Sequence, residues 1–185
     1  MIKYILYFFL ILFIASSCNV QRFLPKGEKL YRGATVHVKK QKEVKKSVGK
    51  LKKQLKNASR PVANKFVFGQ PYKVWWWYFI GTPKREKGLK AFLRKKLGEA
   101  PVLSSRVNAQ VNAENMQTAM ENFGYFHTTV QGDTVNKSYF TRAIYNAEVF
   151  PQYKIKSITW VNDSSELLKA LALSYKNTIL KTGKY

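Results

Sequence analysis

The stretch whose reading decides the fold is "NAENMQTAMENFGYFHTTVQGD", Asn112 to Asp133. It begins as a helix. Asn112 offers a side-chain acceptor for the start, Met116, Ala119, Met120 and Phe123 share one face, and Gly124 stands where a left-handed C′ residue ends it. Positive φ costs a residue with a side chain roughly 1–2 kcal/mol and glycine almost nothing, so a glycine suits a helix that must stop and reverse. Tyr125 to Val130 then reads as a strand with Phe126, Thr128 and Val130 on one face, and Gln131, Gly132 and Asp133 read as a turn. On such a strand Tyr125 and Phe126 point to opposite sides, which leaves one of them to cover the helix.

Working outward, Tyr139 to Val149 alternates Tyr139, Thr141, Ala143, Tyr145, Ala147 and Val149 and predicts a second strand. Upstream, Ala34, Val36 and Val38 alternate with Thr35, His37 and Lys39, which predicts a strand from Leu30 to Lys39. Val44, Val48, Leu51 and Leu55 recur at helical spacing between Glu43 and Leu55, and Leu89, Phe92, Leu93 and Leu97 mark a further helix that Gly98 and Pro101 end. Beyond Pro151, "YKIKSITWVND" reads as a strand. Asp163 and Glu166 form an acidic capping box before a helix carrying Leu167, Leu168, Leu171 and Ala172. The order predicts an α+β class: one complete domain over residues 29–149, and the start of a similar unit over 152–185.

The 185-residue chain is 45% hydrophobic, enough to bury a core, and its formal net charge of +23 points to anionic partners. Nine lysines stand against one glutamate between Lys39 and Lys56. A second basic region flanks an aromatic run: within the turn-rich residues 57–88, Trp75, Trp76, Trp77, Tyr78 and Phe79 lie among Lys73, Lys84, Arg85 and Lys87. Indoles with flanking cations suit the boundary between lipid headgroups and acyl chains. The same run also suits a strand or loop whose tryptophans fill the domain's own core. Both readings stand at this point.

The first residues bear on location. "MIKYILYFFLILFIASSC" has Lys3, an apolar run from Tyr4 to Ala15 and small residues before Cys18, the layout of a secretory signal too short to span a bilayer. Small residues ending at a cysteine resemble a bacterial lipobox, although Ala15 stands where leucine is more usual. On this reading residues 1–17 are a signal peptide and Cys18 carries a covalent lipid. A short tether follows over 18–28. Cys18 is the only cysteine, so no disulfide framework is available.

No catalytic pattern emerges. His37 and His127 are far apart in sequence, Asp133 and Asp163 sit at a turn and a cap, and there is no metalloprotease, nucleophile-elbow or phosphate-loop motif. The residues imply no enzyme, no metal and no cofactor.

The order strand, helices, "NFGYF", two strands and "YKIKSITW" resembles the polypeptide-transport-associated (POTRA) domains of the BamA/TamA superfamily of outer-membrane protein assembly factors. Asn122, Gly124, Tyr125 and Phe126 carry the match, with Tyr153, Ile155 and Ile158 at the start of the next unit. "SSCNVQRFLPKGEKLYRG" is similar to the lipoprotein TamA-like variant of Bacteroidetes. The resemblance implies a mixed three-stranded sheet with helices on one face. It also implies a lipid-anchored protein on the periplasmic side of the outer membrane and a transmembrane barrel, either on the missing part of this chain or on another. Its partners would be outer-membrane protein clients and a phospholipid or lipopolysaccharide surface, not nucleic acid.

Three functions follow. The first is a client-binding scaffold whose free sheet edge, either Leu30 to Lys39 or Tyr125 to Val130, pairs with extended clients; proline at His37 or Thr129 tests it. The second is a nucleic-acid binder using lysines and aromatics, and the third a structural tethering lipoprotein. Export separates the first from the second.

Overall fold

The computed structural model describes residues 3–4, 20–159 and 178–184. Cys18 and the helix expected after Asp163 lie outside them. Among the described residues, beside two short 3-10 helices, four α-helices and three strands follow one another: β1 (Leu30–Lys40), α1 (Val48–Ala58), α2 (Tyr72–Ile80), α3 (Leu89–Leu97), α4 (Ala109–Glu121), β2 (Thr129–Lys137) and β3 (Phe140–Val149).

The strict alternation in β3 makes it the organising strand. Thr141, Ala143, Tyr145, Ala147 and Val149 are all buried, while Arg142 and Asn146 face out. β3 lies between the other two in the order β1-β3-β2, parallel to β1 and antiparallel to β2. Helices α1 and α4 cover the inward face. Leu51, Leu55, Ala113, Met116 and Met120 pack there against Tyr31, Val36 and Tyr145. Each fully buried leucine or methionine contributes about 1.5–3 kcal/mol. The result is the α+β class that the element order predicts, with the mixed three-stranded sheet and helices on one face that the resemblance implies.

Several boundaries differ from the expectation. Helix α1 begins at Val48 rather than Glu43: residues 41–44 form a turn closed by the Val44 N–H on Gln41 O, and Lys40 Nζ donates to the carbonyls of Val44 and Lys46. Val44 still reaches the core from that turn. The N-cap of α4 is Asn108, whose side chain accepts from the Val111 N–H, and not Asn112. Asn112 lies a turn further in, buried, where its amide accepts from the Arg60 N–H and donates to the Arg60 carbonyl. It ties the loop after α1 to α4.

The glycine stop is as expected. Gly124 has φ 81°, its N–H donates to Glu121 O, and the Tyr125 N–H reaches back to Met120 O in a Schellman arrangement. The next residues depart from the prediction. Residues 125–128 form a turn, β2 starts only at Thr129, and it runs straight through Gln131, Gly132 and Asp133. The reversal is the two-residue turn Ser138–Tyr139, with Ser138 at φ 54°. Gly132 is needed for space: a Cβ there would lie 2.5 Å from the Ala109 carbonyl oxygen and 2.8 Å from Tyr145 Cε1. It lets the first turn of α4 sit directly on β2.

A second, smaller cluster forms beside the sheet. Val20, Leu30 and Val74 are fully buried there, with Leu24, Phe66, Trp75, Tyr78 and Phe140 packed around them. Residues 20–24, expected as part of a tether, are therefore docked, and Phe23 stacks on Tyr78 at 5.5 Å. The aromatic run is a helix, α2, and neither a strand nor a loop. Residues 151–159 carry no strand, although Ile155 exchanges backbone hydrogen bonds with Gly183 and Lys184.

Candidate functional site

Because β3 is central, β1 and β2 are both edge strands. They are not equally open. Beside β1, the Tyr31 N–H donates to Val102 O and the Ser104 N–H to Lys29 O, so residues 102–104 pair antiparallel with its first turn of strand. Asn64 secures that cover: its amide donates to Ala100 O and Glu99 Oε1 and accepts from the Val102 N–H. Nothing in the sequence pattern singles out this loop asparagine. Across β2, by contrast, no described strand pairs with the outer edge of Thr129–Lys137.

The register of β2 follows from its turn. A two-residue hairpin makes Lys137 and Phe140 a hydrogen-bonded pair, and alternation then turns the N–H and C=O of Val130, Gly132, Thr134 and Asn136 outward. The Thr134 N–H accordingly donates to Asp133 Oδ1 at 2.6 Å instead of entering the ladder. Thr129 belongs to the inward set and is not an outward position as the sequence suggested. The open face of the sheet is polar, with His37, Gln131, Asn146 and a Lys39–Glu148 ion pair at 3.6 Å.

The "NFGYF" residues form a junction. Asn122 continues the helical backbone and donates to Thr118 O, and Tyr125 is buried in the core while Phe126 is exposed. The Gly124 carbonyl accepts from the Tyr153 N–H at 2.8 Å, and Gln152 donates to Phe123 O. Phe126 meets Tyr153 edge-on at 5.6 Å, and His127 Nε2 lies 2.7 Å from the Tyr153 hydroxyl. The motif thus ends α4 and seats residues 152–153 against its turn.

The tryptophans divide. Trp75 is half-buried in the second cluster, Trp77 is half-buried under the Arg94 guanidinium at 3.7 Å, and Trp76 faces out. Lys73, Lys84 and Arg85 are exposed. The structure therefore splits the run between core filling and surface.

Titratable groups are few in the interior. Burial pushes the Tyr31 and Tyr145 phenols above the ordinary 10.0. Hydrogen bonds from Ser105 and Ser104 hold the Glu28 carboxyl below its usual value. Among the described residues no three His, Cys, Asp or Glu side chains are grouped as metal ligands, and no helix is long and apolar enough to cross a membrane. Compared with known proteins, the chain matches no family model, no curated protein and no solved structure.

Proposed function

We propose that this chain is the periplasmic, client-binding scaffold region of an outer-membrane protein assembly factor of the POTRA-bearing BamA/TamA type, lipid-anchored through Cys18. The observation that carries the reading is the edge of β2, nine residues paired on one side only. An edge of outward N–H and C=O groups completes any extended segment whatever its side chains, which suits a protein that handles many barrel strands. The covered start of β1 makes β2 the better of the two edges. The element order and the positive-φ glycine of "NFGYF" support the same reading, as does the lipobox-like start of the chain.

The experiment is photocrosslinking from Gln131 to an unfolded outer-membrane β-barrel polypeptide. Thr134→Pro removes an outward N–H without touching the ladder to β3 and lowers crosslinking severalfold with unchanged circular dichroism. Undiminished crosslinking in folded Thr134→Pro and Asn136→Pro variants rules out pairing at this edge.

A further inference from the structure

The hairpin of α2 and α3 leaves at the surface the kind of residue that the sheet lobe hides. Leu89 is 75% exposed, Phe79 61%, Phe92 56% and Trp76 38%. Single exposed apolar residues are ordinary, but four on two nine-residue helices joined by one loop point to something that covers them. Their setting narrows the choice. Between Lys73 and Lys96 there are eight basic residues and one acidic residue, and none of these cations forms an ion pair among the described residues. A protein partner of ordinary composition would supply carboxylates in scattered positions. A layer of phosphates over an apolar interior meets both features at once.

The path of the chain supplies a third observation. Val20 is fully buried against Leu30 and Val74, and Phe23 stacks on Tyr78 of α2. The N-terminal end therefore enters the molecule on this lobe. Cys18 precedes Val20 by two residues, a reach of at most about 7 Å. Whatever holds Cys18 or the apolar run Tyr4 to Ala15 at a bilayer brings α2 to that surface as well.

We propose that α2–α3 docks on an anionic phospholipid surface. Trp76, Phe79, Leu89 and Phe92 occupy the headgroup–acyl boundary, and the cations around them, Lys84, Arg85 and Lys87 of the connecting loop first, contact phosphates. The helices lie on the membrane and do not cross it. The proposal shares with the proposed function only the membrane attachment near Cys18 and is independent of the β2 edge.

The test uses the full chain reconstituted in phosphatidylglycerol-containing vesicles, with dansylalanine introduced in place of Phe79, Phe92 or, as a control on the sheet, Val135. The emission of the labels at 79 and 92 shifts to the blue and is quenched by nitroxide-bearing lipid, and that of the label at 135 is unchanged. Lys84→Gln, Arg85→Gln and Lys87→Gln together lower the ratio of docked to undocked molecules about a hundredfold, from about one elementary contact's worth per cation. If the chain floats with the vesicles while the labels at 79 and 92 stay aqueous, docking is overturned and attachment stands. Failure to float overturns both. A blue shift that needs no lipid and grows with protein concentration assigns the surface to a second copy of the chain and overturns the proposal. So does docking of equal strength on purely zwitterionic vesicles.

Discussion

The two lobes of the molecule spend their apolar residues differently. In the sheet lobe, Leu51, Leu55, Met116, Met120 and Tyr145 have no exposed surface, and two helices close over one face of three strands. In the α2–α3 lobe, Val20, Leu30, Pro71 and Val74 are buried to that degree, and large apolar side chains of both short helices remain partly open. Large apolar side chains have therefore produced a core in one place and a partly open surface in the other. The difference lies in what is available to cover the face. A sheet offers a wide, flat partner, whereas two nine-residue helices cover little more than each other.

That contrast gives truncations in the two lobes very different costs. Met116→Ala opens a cavity under the sheet and lowers unfolding stability by about 2–5 kcal/mol in urea titration. A loss below 1 kcal/mol would place Met116 outside the working core. Next comes Gly132→Ala, where the added methyl meets the Ala109 carbonyl and the Tyr145 ring, at a cost of about 1–3 kcal/mol. Full stability there would mean that α4 is free to lift from β2. Gly124→Ala forces a side chain into positive φ and costs roughly 1–2 kcal/mol by the same measurement, with helix content retained in circular dichroism. The smallest effect belongs to the other lobe: Phe92→Ser stays within about 0.5 kcal/mol of the parent. A drop comparable to that of Met116→Ala would show Phe92 to be core after all and erase the distinction between the lobes.

The sheet was largely legible because alternation along β3 and β1 is a direct imprint of one-sided burial, and the stop at Gly124 because positive φ has a steric cause written in one residue. The misreadings share a different origin. Asn108 and Asn112 have the same capping chemistry one turn apart, and the choice between them is made by the Arg60 backbone, which claims Asn112 from a distance of 52 positions in sequence. Gly132–Asp133 has the local chemistry of a turn, yet the glycine serves the close approach of α4. The tryptophan run has β-favouring residues but forms a helix because Val74 and Tyr78, four apart, share one cluster and Trp77 meets Arg94 of α3. Of the candidate site, the edge character of β1 and β2 required the strand order, and the cover over β1 required Asn64. Neither is a property of a local window.

The parallel pairing of β1 with β3 has a mechanical consequence. The chain enters the sheet at Leu30, the start of β1, and leaves it at Val149, the end of β3, and in a parallel pair these points lie at opposite ends of the ladder. Tension between the N-terminal side and the segment beyond Pro151 therefore loads the β1–β3 hydrogen bonds in shear, all of them sharing the force together. An antiparallel hairpin pulled at its two open ends would instead peel one bond at a time. A chain strung between a fixed point ahead of Val20 and further mass beyond residue 150 would yield only when that whole row gives way, so the sheet is arranged to act as a strain-bearing clasp.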